Sequence, residues 1–133
     1  MSQQNVELTR TVHDAFAAGG IEAALTYFAS DVVAYPFPEW VEESEYRGHD
    51  GMRALIAIWT DNFDGFEFHI ADIRDVGSKV LLLGETAGRI KGSGVPIQQP
   101  LGVVYSDFRN GTIGESRNFL TWRQAFDAVD LEM

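Results

Sequence analysis

The sequence predicts an α+β fold: a curved, mostly antiparallel sheet wrapped around N-terminal helices to make a small cone. Three observations predict it. Helical spacing of apolar residues is concentrated in the first half of the chain. A Pro- and aromatic-rich crossing, Tyr35-Pro36-Phe37-Pro38-Glu39-Trp40, then interrupts it. After one more helix come long strands separated by turn residues. Helices laid against one face of a curved sheet enclose an inside, so this order predicts a pocket.

Each element has its own signal. Helix one runs from about Gln3 to Ala18, with Leu8, Val12, Ala15 and Phe16 at helical spacing, and Gly19-Gly20 supplies its stop. Helix two covers about Ile21 to Ala29, with Ile21, Leu25 and Phe28 on one face. Val32 to Phe37 reads as a short extended segment, and the prolines at 36 and 38 suit a rim or edge. Helix three starts at an Asp50 N-cap and carries the stripe Met52, Leu55, Ile56, Trp59 and Phe63, with Gly65 ending it. Four strands follow, at about Phe66–Asp75, Lys79–Lys91, Ile97–Arg109 and Thr112–Thr121. Gly77-Ser78 and Asn110-Gly111 are their hairpin turns. Thr121 with Gln124 fits a capping box that opens a short last helix at Trp122.

Composition bounds the function. With 133 residues, 45% of them hydrophobic, the chain reads as one globular domain over 1–133. A net charge of -10 argues against nucleic acid and against anionic membrane surfaces, both of which need clustered Lys and Arg. There is no cysteine, hence no disulfide framework and no thiol chemistry. Met1 to Arg10 lacks a basic start and a long apolar run, and no stretch is long enough for a membrane span. A cytoplasmic protein is the expectation.

Val80-Leu81-Leu82-Leu83 is apolar at consecutive positions, and consecutive strand residues face opposite sides. Both faces of the sheet should therefore be covered. The first three helices can cover one. The expected cover for the other is a second copy of the chain, giving a homodimer through the sheet.

Asn5-Val6-Glu7-Leu8, Gly20-Ile21-Glu22-Ala23-Ala24-Leu25, Ser30-Asp31-Val32-Val33 and Tyr46-Arg47-Gly48-His49-Asp50-Gly51 form a pattern that resembles the nuclear transport factor two-like superfamily, and within it the SnoaL-like group related to polyketide cyclases. Gly92-Ser93-Gly94-Val95 and Arg109-Asn110-Gly111-Thr112-Ile113 continue it, so that it spans nearly the whole chain. The resemblance implies a cystatin-like α+β roll with an apolar pocket, often dimeric through its sheets. For activity it implies cyclase, isomerase or hydrolase chemistry without a cofactor, on a polyketide- or terpenoid-like substrate. The same fold also hosts non-catalytic binding and interaction modules.

Carried over residue by residue, the acids of the relatives are missing. The tyrosine donor of proteins similar to ketosteroid isomerase falls at Val12, the base at Tyr35 or Pro36, and the second aspartate at Val103 or Val104. The last-strand aspartate of the cyclases and limonene-type epoxide hydrolases falls at Asn118, which has no titratable proton near neutral pH. The Arg and Asp pair of those hydrolases has no counterpart near Gly84 to Thr86.

What remains are candidate polar participants: Asn118, Glu85 and Tyr105. Asn118 either orients a ligand or is a core amide bonded to a neighbouring strand. Glu85 is either paired, with Arg117 or Arg89, or raised in pKa by desolvation. Tyr105 offers a phenol or packs as an ordinary strand aromatic. Expected pocket residues are Val12, Phe16, Tyr35, Phe37, Trp40, Ile56, Trp59, Phe63, Ser116 and Leu120, a lining suited to a small, mostly apolar molecule. Ser116, Asn118 and Leu120 should share the pocket face of the last strand, with Ile113, Glu115, Arg117 and Phe119 on the other. Glu115 and Arg117 read as an ion pair. His13, close to Val12, could reach the mouth, whereas His49 and His69 lie on other elements. No histidine pair has metal-ligand spacing, so neither a metal nor a cofactor is expected. Glu39, Glu42, Glu43 and Glu45 read as a solvated acidic loop.

Overall fold

The computed structural model describes residues 2–38 and 45–130. Trp40 and the acidic positions Glu39, Glu42 and Glu43 lie outside the described residues. Three helices pack on a six-stranded mixed sheet, an α+β fold.

The two N-terminal helices form one element, α1 (Ser2–Leu25), kinked at Gly20 (φ 74, ψ -166). That backbone is accessible to glycine at no steric cost, so the Gly19-Gly20 signal produces a bend without a loop. The second half ends at Leu25 and not at Ala29. Phe28 begins β1 (Phe28–Tyr35), held there because Tyr27 O accepts from Ile113 N at 2.9 Å and Phe28 registers with Ile113. A two-residue strand β2 (Tyr46–Arg47), too short to leave a periodic signal, pairs antiparallel with β1.

Helix α2 (Gly48–Asn62) starts earlier than expected, with Arg47 at the N-cap position and Asp50 inside the first turn, 2.7 Å from Arg53. A carboxylate there still complements the positive end of the helix. Phe63 is not the last residue of the stripe but the first of β3 (Phe63–Val76). Gly65 (φ 62) lies within that strand, where the register shifts between Asp64 and Glu67. The glycine makes a bulge and not a helix stop.

Strands β4 (Lys79–Ile90), β5 (Pro96–Arg109) and β6 (Thr112–Phe119) complete the sheet in the order β2-β1-β6-β5-β4-β3. β1 and β6 are parallel; every other pairing is antiparallel. The concave face buries Val12, Leu25, Val32, Met52, Leu82 and Val103 in one core with Tyr105 and Ile113. Ile113 thus shares the inner face with Ser116, contrary to strict alternation. The phase breaks beside Asp107, whose φ of 55 interrupts the pleat opposite Gly114.

The outer face shows a second departure from expectation. Helix α3 (Trp122–Ala128) folds back over it, and Ala125 and Phe126 bury Leu81, Leu83 and Val104. The four apolar residues do face two ways, but the chain itself covers the outer pair. The ground for requiring a second copy at that point therefore falls away. Two details seat α3. Thr121 Oγ1 accepts from Gln124 N at 3.1 Å, capping its first turn. Gly102 lies beneath it, and a Cβ there would come 2.5 Å from Ala125 Cβ.

Candidate functional site

The cone encloses a cavity of about 90 Å³ between α1, α2 and the concave face of the sheet. That is smaller than the few hundred cubic ångströms expected for a ligand pocket, roughly 300–1,000 Å³. Aromatic side chains account for the difference: Phe16, Phe28, Phe37, Trp59, Phe66 and Phe68 all project into the cone. Trp59 stacks on Phe66 at 5.6 Å and on Phe63 at 6.1 Å, and meets Phe37 edge-on at 5.7 Å.

Among the expected residues, Val12, Phe16, Phe37, Ile56, Trp59, Tyr105, Ser116 and Asn118 border this cavity. The others do not. Phe63 borders a smaller neighbouring cavity, with Trp59, Phe66 and Ile97. The Tyr35 ring turns away and lies under the Arg117 guanidinium, 4.5 Å from its carbon, because Ala34 takes the inward position in β1. Leu120, just past the end of β6, is half-buried outside the lining.

Glu85 is on the wrong face. Its neighbour Thr86 lines the cavity, so the Glu85 carboxylate points outward and accepts from the Gln98 amide. Its partner is neither Arg117 nor Arg89. Arg117 instead pairs with Glu115 at 3.0 Å, the expected structural ion pair, and Arg89 donates to Gly94 O at 3.0 Å. Glu45, the described member of the acidic stretch, pairs with Arg47 at 2.7 Å.

The polar centre of the cavity is a pair that spacing alone did not assemble. His13 Nε2 and Tyr105 Oη are 2.8 Å apart, although the residues are 92 positions distant in sequence. His13 follows Val12 on the inner turn of α1, and its ring also packs against Phe68 at 5.1 Å. Burial holds the imidazole down at about 4, with Asp14 opposing the shift, and burial pushes the Tyr105 phenol above its ordinary value. Both are therefore neutral at pH 7. In one tautomer the phenol donates to Nε2. In the other, Nε2–H donates to Oη and the phenol proton is free for a guest.

Asn118 Nδ2 donates to Tyr35 O at 3.0 Å, bonding the amide to the neighbouring strand and leaving its carbonyl oxygen as an acceptor. Thr86 and Ser116 add hydroxyls to the lining. Among the described residues, the lining holds no Asp, Glu, Lys or Arg, and no cluster of three or more His, Cys, Asp or Glu could hold a metal ion. Also among the described residues, no helix is long and apolar enough to cross a membrane.

Twelve of the described lining residues are not among those expected for the pocket, Phe28, Phe66, Phe68 and Thr86 among them, and His13, expected only to reach the mouth, lies in the wall. Two signals point to the β3 and β4 residues of this set. Phe66 and Phe68 alternate in β3, and Thr86 has the opposite parity to Glu85.

The fold has well-matched solved relatives. A protein described as a candidate SnoaL-like polyketide cyclase from Jannaschia sp. CCS1 superposes with a TM-score of 0.76 at 17% identity, covering 98% of this chain and 94% of that one. A nuclear transport factor two-like protein of unknown function from Burkholderia pseudomallei K96243 gives 0.75 at 17% identity, covering 95% and 97%. A protein with a ketosteroid isomerase-like fold from Catenulispora acidiphila DSM 44928, crystallised with trimethylamine, gives 0.72 at 17% identity, covering 95% and 94%. At these identities the likeness shows the fold. No curated protein is matched by sequence. The SnoaL-like domain pattern itself matches residues 9–115, from the first turns of α1 into β6, and the chain belongs to the SnoaL-like family of the nuclear transport factor two-like superfamily.

Proposed function

We propose that the cone binds a small, mostly apolar molecule and polarises its carbonyl, the part of cofactor-independent cyclase or isomerase chemistry that its own residues supply, with the proton removed from the guest passing to a water or buffer base. The observation that carries this reading is the His13–Tyr105 pair, a directed hydrogen-bonding unit in an otherwise apolar, uncharged cavity. With His13 donating from Nε2, the Tyr105 hydroxyl is free to donate to a guest carbonyl. That bond strengthens as the carbonyl oxygen gains enolate character, and it is worth more in a dry cavity than in water. Tyr105 thereby takes the donor role whose carried-over position is Val12. His13 is a positioning residue that sets which way the phenol proton points.

A second reading has its own support. Among the described lining residues there is no carboxylate to remove a substrate proton, and burial makes His13 a weak base at pH 7. Uptake without turnover follows if no other base reaches the guest.

One experiment separates the readings. Cyclohexanone is incubated with the protein in deuterium oxide, and exchange at the carbon beside its carbonyl is followed by NMR. Catalysis predicts exchange above the buffer rate that falls about 10²–10³-fold in Tyr105→Phe while binding persists. Saturable binding with buffer-rate exchange supports the binding module. Absence of binding at the cavity removes both.

A further inference from the structure

Resting on the binding reading above, we infer that the guest is an uncharged molecule no larger than one ring, bearing an oxygen that hydrogen-bonds to the His13–Tyr105 pair, with the Trp59 indole setting the size limit. Three observations lead there.

The first is charge. The chain carries a net charge of -10, yet none of it lies among the described residues of the cavity. A charged guest would lose its hydration without gaining a counter-charge. Carboxylate, phosphate and ammonium compounds are thereby disfavoured, and neutral phenols, ketones and lactones are not.

The second is size. The cavity's 90 Å³ is less than the ~150 Å³ of an engineered apolar cavity that takes up benzene. The cavity is open on one side, so a single ring seats with part of it in the mouth, and a fused second ring has no space.

The third is the wall. Trp59, Phe66 and Thr86 line both this cavity and a smaller one of about 10 Å³, whose far side is Phe63, Gly88 and Ile97. The Trp59 indole, stacked at 22° to the Phe66 ring, forms with Phe66 and Thr86 the wall that the two spaces share. Removing it joins them and extends the site along β3 and β4. Trp59 is thus placed to determine specificity by length.

The test uses phenol, benzoate, benzylamine and 2-naphthol as probes at pH 7, with dissociation constants from protein-observed NMR. In the wild-type protein phenol should perturb His13 and Tyr105 resonances. Benzoate, benzylammonium and 2-naphthol should each bind at least about tenfold more weakly. Trp59→Ala should reverse the order of phenol and 2-naphthol, and Tyr105→Phe should weaken phenol about tenfold. Benzoate, benzylammonium or 2-naphthol matching phenol in the wild-type protein overturns this inference while leaving a binding cavity intact. Binding of none of the four overturns the binding reading itself. The wild-type comparison stands alone if Trp59→Ala does not fold.

Discussion

The buried imidazole makes the stability of this protein acid-sensitive in a defined window, and His13→Gln should remove that sensitivity. In the folded chain His13 is pushed down to about 4, against an ordinary value of 6.5. The sign follows directly. Between those values the unfolded chain binds a proton that the folded chain refuses, so stability is fully present above pH 6.5 and drains away as pH falls to 4. The whole shift is worth about 3 kcal/mol at about 1.4 kcal/mol per unit. Between pH 7.5 and pH 5 the loss comes to about 2 kcal/mol. Carboxylates add their own acid lability, Glu22 among them because Arg53 holds its pKa down. The comparison with His13→Gln, which keeps a hydrogen-bonding amide and loses the titration, isolates the imidazole. Urea unfolding at pH 7.5, 6.5, 5.5 and 5 measures it. The wild-type free energy should fall by about 2 kcal/mol more than that of the variant across this range. Parallel curves, or an NMR titration placing His13 near 6.5, would refute the claim that the imidazole is dry.

Two further outcomes follow from packing. Gly102→Ala puts a methyl 2.5 Å from Ala125 Cβ, and it should destabilise the fold by about 1–3 kcal/mol through displacement of α3. Denaturation midpoints, with Trp122 fluorescence reporting on the helix, check it, and an unchanged midpoint would mean that α3 does not rest there. Asn118→Leu leaves Tyr35 O without its side-chain donor and should cost about 1–3 kcal/mol, read by the same denaturation. A gain in stability would show that this carbonyl is satisfied by water instead.

How much of this was legible in the sequence depends on the range of the signal. The stripe Met52, Leu55, Ile56, Trp59 declared both the helix and its inward face, because helical spacing is local and redundant. Gly65 was ambiguous in principle. A positive-φ glycine serves a helix stop and a strand bulge equally, and only the pairing with β4 decides between them. The inner position of Ile113 was hidden by the break at Asp107, since one irregular residue inverts everything beyond it. The two-faced character of Val80 to Leu83 is plain in the sequence, but which element lies over the outer pair is not. The Thr121–Gln124 cap announces the seven-residue α3, but nothing local says that Ala125 and Phe126 fold back over the sheet. His13 and Tyr105 each stand out in the sequence, but their pairing does not. Nothing local marks two residues of different elements as partners, and the contact exists only once the sheet has curved.

The parallel pairing of β1 with β6 has a consequence for how the protein is born. Phe28 finds its neighbour at Ile113, so the seam that shuts the cone joins the earliest strand to the latest. A nascent chain emerging from the ribosome can coil α1, pack α2 on β1 and zip β3 to β4, but one edge of β1 stays unpaired until β6 has been synthesised. The hollow has no partial version, and a small guest can favour folding only by capturing the finished sheet with its helices in place.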